Sequence, residues 1–123
     1  MDLSRYNLTP MTVESHFVKK DPAVLATYRR VLAAARALGP VTEEAKKTSI
    51  HLVRRTAFAG VATRRASLLL TLKSAHDIRS PRIDKREQTS RNRWHVVIRL
   101  DKPADVDRQL ATWLKAAYEL AGP

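Results

Sequence analysis

The side chains best suited to move protons or hold a metal near neutral pH are four histidines, His16, His51, His76 and His95. They fall on different segments and none shares the short spacing by which one helix or loop presents two ligands to an ion. The chain has no cysteine, which removes disulfides, thiolate nucleophiles and thiolate metal sites together. Glu44-x-Lys46 matches the tail of a nuclease-type Asp…Glu-x-Lys signature, in which carboxylates hold a metal and the lysine steadies the nucleophile. Here it opens a strand without a clear upstream aspartate, Glu-x-Lys is common by chance, and a solvated loop is the simpler account. Asp77 and Asp84 bracket Ser80-Pro81 amid arginines, where pairing with Arg79, Arg82 or Arg86 is a simpler fate than general acid–base work. The three glycines, Gly39, Gly60 and Gly122, are too dispersed for a phosphate loop, and no nucleophile elbow is present. No catalytic residue, metal site or cofactor follows from these residues.

Charge says more. The formal net charge is +11, and it is unevenly placed. Between Lys46 and Arg99 lie 14 of the 23 Lys and Arg residues but only Asp77, Asp84 and Glu87 among the 12 acids. The rest of the chain holds nine of each sign and balances to zero. A concentration of this kind sets up a local positive field that attracts polyanions.

The elements that carry this charge can be read from periodicity. A chain of 123 residues with 44% apolar content fits one domain with one core. Residues 1–10 read as a poorly ordered lead-in and residues 11–121 as a single α+β domain. A short helix is expected near 10–18. A stronger one follows, with Asp21 and Pro22 at its start and Gly39-Pro40 as its stop. Its apolar stripe runs through Val24, Leu25, Tyr28, Val31, Leu32, Ala35 and Leu38. From residue 46 the period becomes two, giving strands at 48–54, 57–63, 67–73, about 82–88 and 93–100. Their short connections call for an antiparallel meander of about five strands. A last helix is expected from Pro103 to about Ala121, with Val106, Leu110, Trp113, Leu114 and Ala117 facing a core. Trp113, and Trp94 with it, is expected inside that core.

Two amphipathic helices, one at each end of the chain, can then cover one face of the sheet and leave the other open. Ile50, Leu52, Leu68, Leu70, Leu72, Trp94, Val96, Ile98 and Leu100 belong on the covered face. Alternation sends Lys47, Ser49, His51, Val53 and Arg55 to the open one, with Ser67, Leu69, Thr71, Lys73, Arg93, His95, Val97 and Arg99. Arg64 and Arg65 lie in the connection beside them. Lys and Arg on such a face can engage phosphates. Exposed aromatics for base stacking are missing, with only His51 and His95 in their place.

The ordered set Val13-Glu14-x-His16-Phe17, Leu38-Gly39-Pro40-Val41, Lys47-Thr48-x-Ile50, Phe58-Ala59-Gly60-Val61, Arg64-Arg65 and Leu68-x-Leu70 resembles a small bacterial α+β family, domain of unknown function 5655. Pro81-Arg82, Trp94-His95 and Trp113-Leu114-Lys115-x-Ala117-Tyr118 fit the same pattern. The family is also found attached to predicted transport proteins. Where its pattern often has a proline before the basic pair, this chain has Ala62-Thr63. The resemblance implies the fold and points to Lys47, Arg64 and His95; it implies no activity.

The expectation is a non-catalytic module that binds a polyanion, foremost nucleic acid, through Lys47, His51, Arg55, Arg64, Arg65, Lys73, Arg93, His95 and Arg99. The alternatives are an enzyme or sensor domain for a small anionic ligand near Lys47, His51, Arg64 and His95, or a protein-interaction domain. A pocket of about 300 Å³ or more around the histidines would favour the small ligand, and a flat basic face the polyanion. No apolar stretch approaches the ~20 residues that cross a bilayer, so a cytoplasmic protein without membrane contact is expected. The fold should not depend on a metal: chelator treatment is expected to leave the melting temperature unchanged. Stoichiometric zinc or manganese in elemental analysis would overturn this.

Overall fold

The computed structural model describes residues 11–122; the expected lead-in over 1–10 lies outside the described residues. In chain order there is a 3-10 turn (Glu14–Phe17), helix α1 (Pro22–Arg36) and strands β1 (Thr42–Ala45), β2 (Ile50–Val53), β3 (Ala57–Thr63) and β4 (Leu68–Ser74). Strands β5 (Ile83–Ser90) and β6 (Arg93–Leu100) follow, then a second 3-10 turn (Pro103–Asp105) and helix α2 (Arg108–Leu120). The class is α+β, and the described residues form an antiparallel sheet of six strands rather than five. The spatial order is β1-β2-β3-β4-β6-β5, so the meander's last two strands trade places and β5 becomes an edge.

Both helices cover one face. Ile50, Leu52, Val61, Leu68, Leu70, Leu72, Val96, Ile98 and Leu100 are buried there against Val24, Tyr28, Val31 and Ala35 of α1 and Leu110, Leu114 and Ala117 of α2. Period-two alternation is what delivers these residues to a single side.

The strand that sequence periodicity passes over is β1. Thr42-Glu43-Glu44-Ala45 has two carboxylates and little β propensity, and tertiary contacts override that composition. Glu43 points to the helix side, where it accepts a hydrogen bond from the Tyr28 hydroxyl at 2.5 Å and meets Arg36 at 3.4 Å. Burial, and after it the Glu43 carboxylate, hold the Tyr28 phenol well above the usual tyrosine range.

Two other expectations change. The segment from Pro103 to Ala121 is not one helix. The Asp105 carboxylate accepts the Asp101 and Lys102 backbone N–H groups and closes the 3-10 turn. Asp107 then caps α2, its carboxylate accepting the Leu110 N–H at 3.0 Å and the Arg82 guanidinium at 2.8 Å. These two hydrogen bonds, the backbone one first, lower the Asp107 carboxyl below its ordinary range. Trp113 is half-buried, not core: it sits at the rim of the stripe with the Arg82 guanidinium 5.9 Å from its ring. Trp94 is half-buried too. Leu110 and Leu114 fill the interior instead.

Tyr118 joins the two ends of the fold. Its hydroxyl donates to the Pro40 carbonyl at 3.1 Å, its ring meets Phe58 edge-on, and the Arg54 guanidinium lies 4.2 Å from the ring centroid. Gly39, at φ +152°, lies directly against that hydroxyl, where a Cβ would collide.

Tyr28 makes stability sensitive to alkali. The unfolded phenol loses its proton near pH 10 whereas the folded one retains it, so the contribution is complete below pH 10 and is lost as pH rises beyond it. The stability difference between parent and Tyr28→Phe should shrink from pH 8 to pH 11 in chemical denaturation. An unchanged difference would show that the buried Tyr28 phenol does not set this dependence.

Candidate ligand-binding trough

The face away from the helices is not flat. It holds a trough of about 310 Å³ that follows β3 and is lined by Ser49, His51, residues 57–62, Thr71, Lys73 and His95. Its floor is low because the residues β3 turns outward are Ala57, Gly60 and Ala62. A Cβ placed on Gly60 would meet nothing closer than 3.9 Å.

A bulge keeps the floor clear. Leu52 pairs with Ala59 and Val53 with Ala57, which leaves Phe58 as an extra residue in β3. Strict alternation would turn Phe58 outward. Instead it is fully buried against Tyr118, and Ala57 takes the outward place.

The walls follow from the register. Glu44 pairs with His51, His51 with Gly60, Gly60 with Thr71 and Thr71 with Val97. One step along, Lys73 pairs with His95 and His95 with Glu87. The two histidines therefore do not stand on neighbouring strands. β3 and β4 lie between theirs, about 14 Å at the usual strand spacing, and the rings face the trough from opposite sides. His51, Lys73 and His95 are half-buried, and among the described residues no side-chain hydrogen bond or ion pair occupies them. Such groups are free to receive a ligand.

The structure separates the nine basic and histidine positions named from the sequence. His51, Lys73 and His95 meet in the trough. Arg93 and Arg99 stand at the two ends of β6, with Arg99 held by Asp101 at 2.9 Å. Lys47 lies in the β1–β2 turn, Arg64 and Arg65 in the β3–β4 turn, and Arg55 in the β2–β3 turn at the opposite end. Lys47 and Arg55 are thus not on the sheet face, because β2 is shorter than 48–54. Arg54 is drawn out of line to donate to the Tyr118 carbonyl at the C-terminus of α2. Glu44 and Glu87 also reach the open side, so its charge is mixed rather than all positive.

Among the described residues no group of three or more His, Cys, Asp and Glu side chains converges as a metal site would. Glu44 and Lys46 pair with each other at 3.4 Å. Asp77 lies 2.8 Å from both the Arg79 and the Arg86 guanidinium, in ion pairs of the kind expected from the sequence. Among the described residues no helix is long and apolar enough to cross a membrane.

What sequence reasoning missed is the floor. Gly60 inside a strand, flanked by Ala57, Ala59 and Ala62, was the available signal, since an interior strand glycine marks a place where another group comes close. Gly60→Ala is expected to raise stability by about 0.4–1 kcal/mol, because the position is open and extended. A drop above ~1 kcal/mol in denaturant titration would mean that the floor has no room.

Residues 13–121 match a family described as Domain of unknown function (DUF5655). That span is most of the chain, and the chain belongs to this family. No curated protein and no solved structure matches it.

Proposed function

We propose that this member of the DUF5655 family is a binding module for a phosphate-bearing anion held in the β3 trough. The observation that carries the reading is the unpartnered set of Lys73, His95 and His51 around a floor of glycine and alanine. Lys73 supplies positive charge, partly withdrawn from water, and the imidazoles and the Thr71 and Ser49 hydroxyls supply directional hydrogen bonds. A volume near 310 Å³ lies at the low end of small-ligand sites. An open basic plane for indiscriminate contact is a poorer description, since Glu44 and Glu87 flank the histidines on their outer sides.

Calorimetric titration of ribose 5-phosphate at low salt tests it. Lys73→Gln and His95→Gln should each weaken binding by about tenfold or more, the usual effect of losing a hydrogen bond to a charged group. Gly60→Val should abolish binding while the protein still folds, because it fills the floor from a position with space for a side chain. Undiminished affinity in a folded Gly60→Val variant would refute the site.

A further inference from the structure

The trough does not end at its polar walls. β1 and β3 run in the same direction, so the β1–β2 and β3–β4 turns lie at one end of the sheet. Ser49 and Ala62 carry the trough to that end, where Lys47, Arg64 and Arg65 are exposed. Among the described residues no carboxylate pairs with these three. Leu72 pairs with Ala59 of β3, five residues before Arg64, and Lys73 lies one residue further from that end. At ~3.3 Å per residue the two groups of positive charge are about 20 Å apart along one strand.

We infer that the trough and this basic end form one continuous track for single-stranded nucleic acid, with phosphates anchored at both ends of β3. The inference rests on the trough being the binding site and specifies its ligand as extended rather than compact. Three features favour a nucleic-acid strand over a bare chain of phosphates. The floor between the anchors is apolar, and half-buried Val53, Leu69 and Val97 continue it on the same face, a surface suited to sugars and bases. His51 and His95 offer flat rings against which a base can stack. The walls, carried by β2 and β4, stand two strand spacings or about 10 Å apart, which admits one strand and excludes a duplex from the floor. With ~3.4 Å of axial rise per nucleotide in a stacked strand, 20 Å corresponds to about six nucleotides, and fewer if the strand is stretched.

Fluorescence titration of the whole protein with thymidine monophosphate and with oligothymidylates of three, six and ten residues reads this directly. Affinity should climb through six residues and then level off. In a Lys47→Gln, Arg64→Gln, Arg65→Gln variant the hexamer should bind no better than the monophosphate. The salt dependence of hexamer binding should also fall by about 0.7 in log–log slope for each phosphate no longer neutralised. A charge-matched Arg29→Gln, Arg30→Gln, Lys115→Gln variant, altered on the helices, should keep the full length dependence. Equal affinity for monophosphate and hexamer in the parent would overturn the extended track while leaving the trough itself in place. Hexamer binding that survives Gly60→Val but not the turn substitutions would instead refute the trough. Inorganic polyphosphate or a ten-base-pair duplex binding as tightly as the oligothymidylate would overturn the choice of ligand.

Discussion

Everything in this fold depends on one face of the sheet being driven out of water. Leu68, Leu70 and Leu72 on β4 and Val96, Ile98 and Leu100 on β6 lie side by side in register, and α1 and α2 close over them. The hydrophobic term is non-directional, but in a strand its period of two makes it select a face. Once β4 and β6 are fixed by these residues, every intervening side chain is assigned to the other side. His95, Lys73 and Thr71 reach the trough because their neighbours are buried.

The trough adds a second constraint, one of size rather than polarity. A sheet face covered by long side chains has no depth. Here β3 contributes Ala57, Gly60 and Ala62 between strands carrying His51 on one side and Lys73 on the other. The bulge at Phe58 makes this arrangement compatible with a full core, since the largest side chain of β3 turns inward and packs on Tyr118. The same tyrosine holds Arg54 and rests against Gly39, so the α1–β1 connection, the β2–β3 turn and the end of α2 converge behind the floor.

Local pattern made much of this legible. The alternation in Leu68–Lys73 and Trp94–Leu100 assigned faces correctly, and the stripes Val24–Tyr28–Val31 and Leu110–Leu114–Ala117 located both helices. Alternation named His51, Lys73 and His95, and for His95 the family resemblance pointed the same way. What pattern could not supply depends on distant partners. β1 is acidic and is a strand only because Tyr28 and Arg36 receive Glu43 and β2 receives its backbone. The placing of β6 beside β4 is decided by matching hydrophobic faces across some twenty residues of chain. Trp113 fell on the right stripe but at its rim, where the Arg82 guanidinium lies over its ring. Depth was hidden for a related reason: alternation gives direction, and a cavity also needs to know which strands flank a small residue.

The exchange of the last two strands leaves β5 on the outside, and its composition bears on how the molecule meets copies of itself. An edge strand is a row of unpaired backbone donors and acceptors that can recruit another chain. Over Asp84–Ser90 the side chains are exposed, with charges of both signs, and the pairing to β6 is interrupted at Ile83/Lys85 and again at Gln88/Ser90. A ladder broken twice in eight residues offers no straight template, and a second copy would have to bury Lys85, Arg86 and Glu87 to use it. The opposite edge, β1, is only four residues long and carries two glutamates. Both margins of the sheet thus discourage the edge-to-edge strand addition by which β-sheets polymerise.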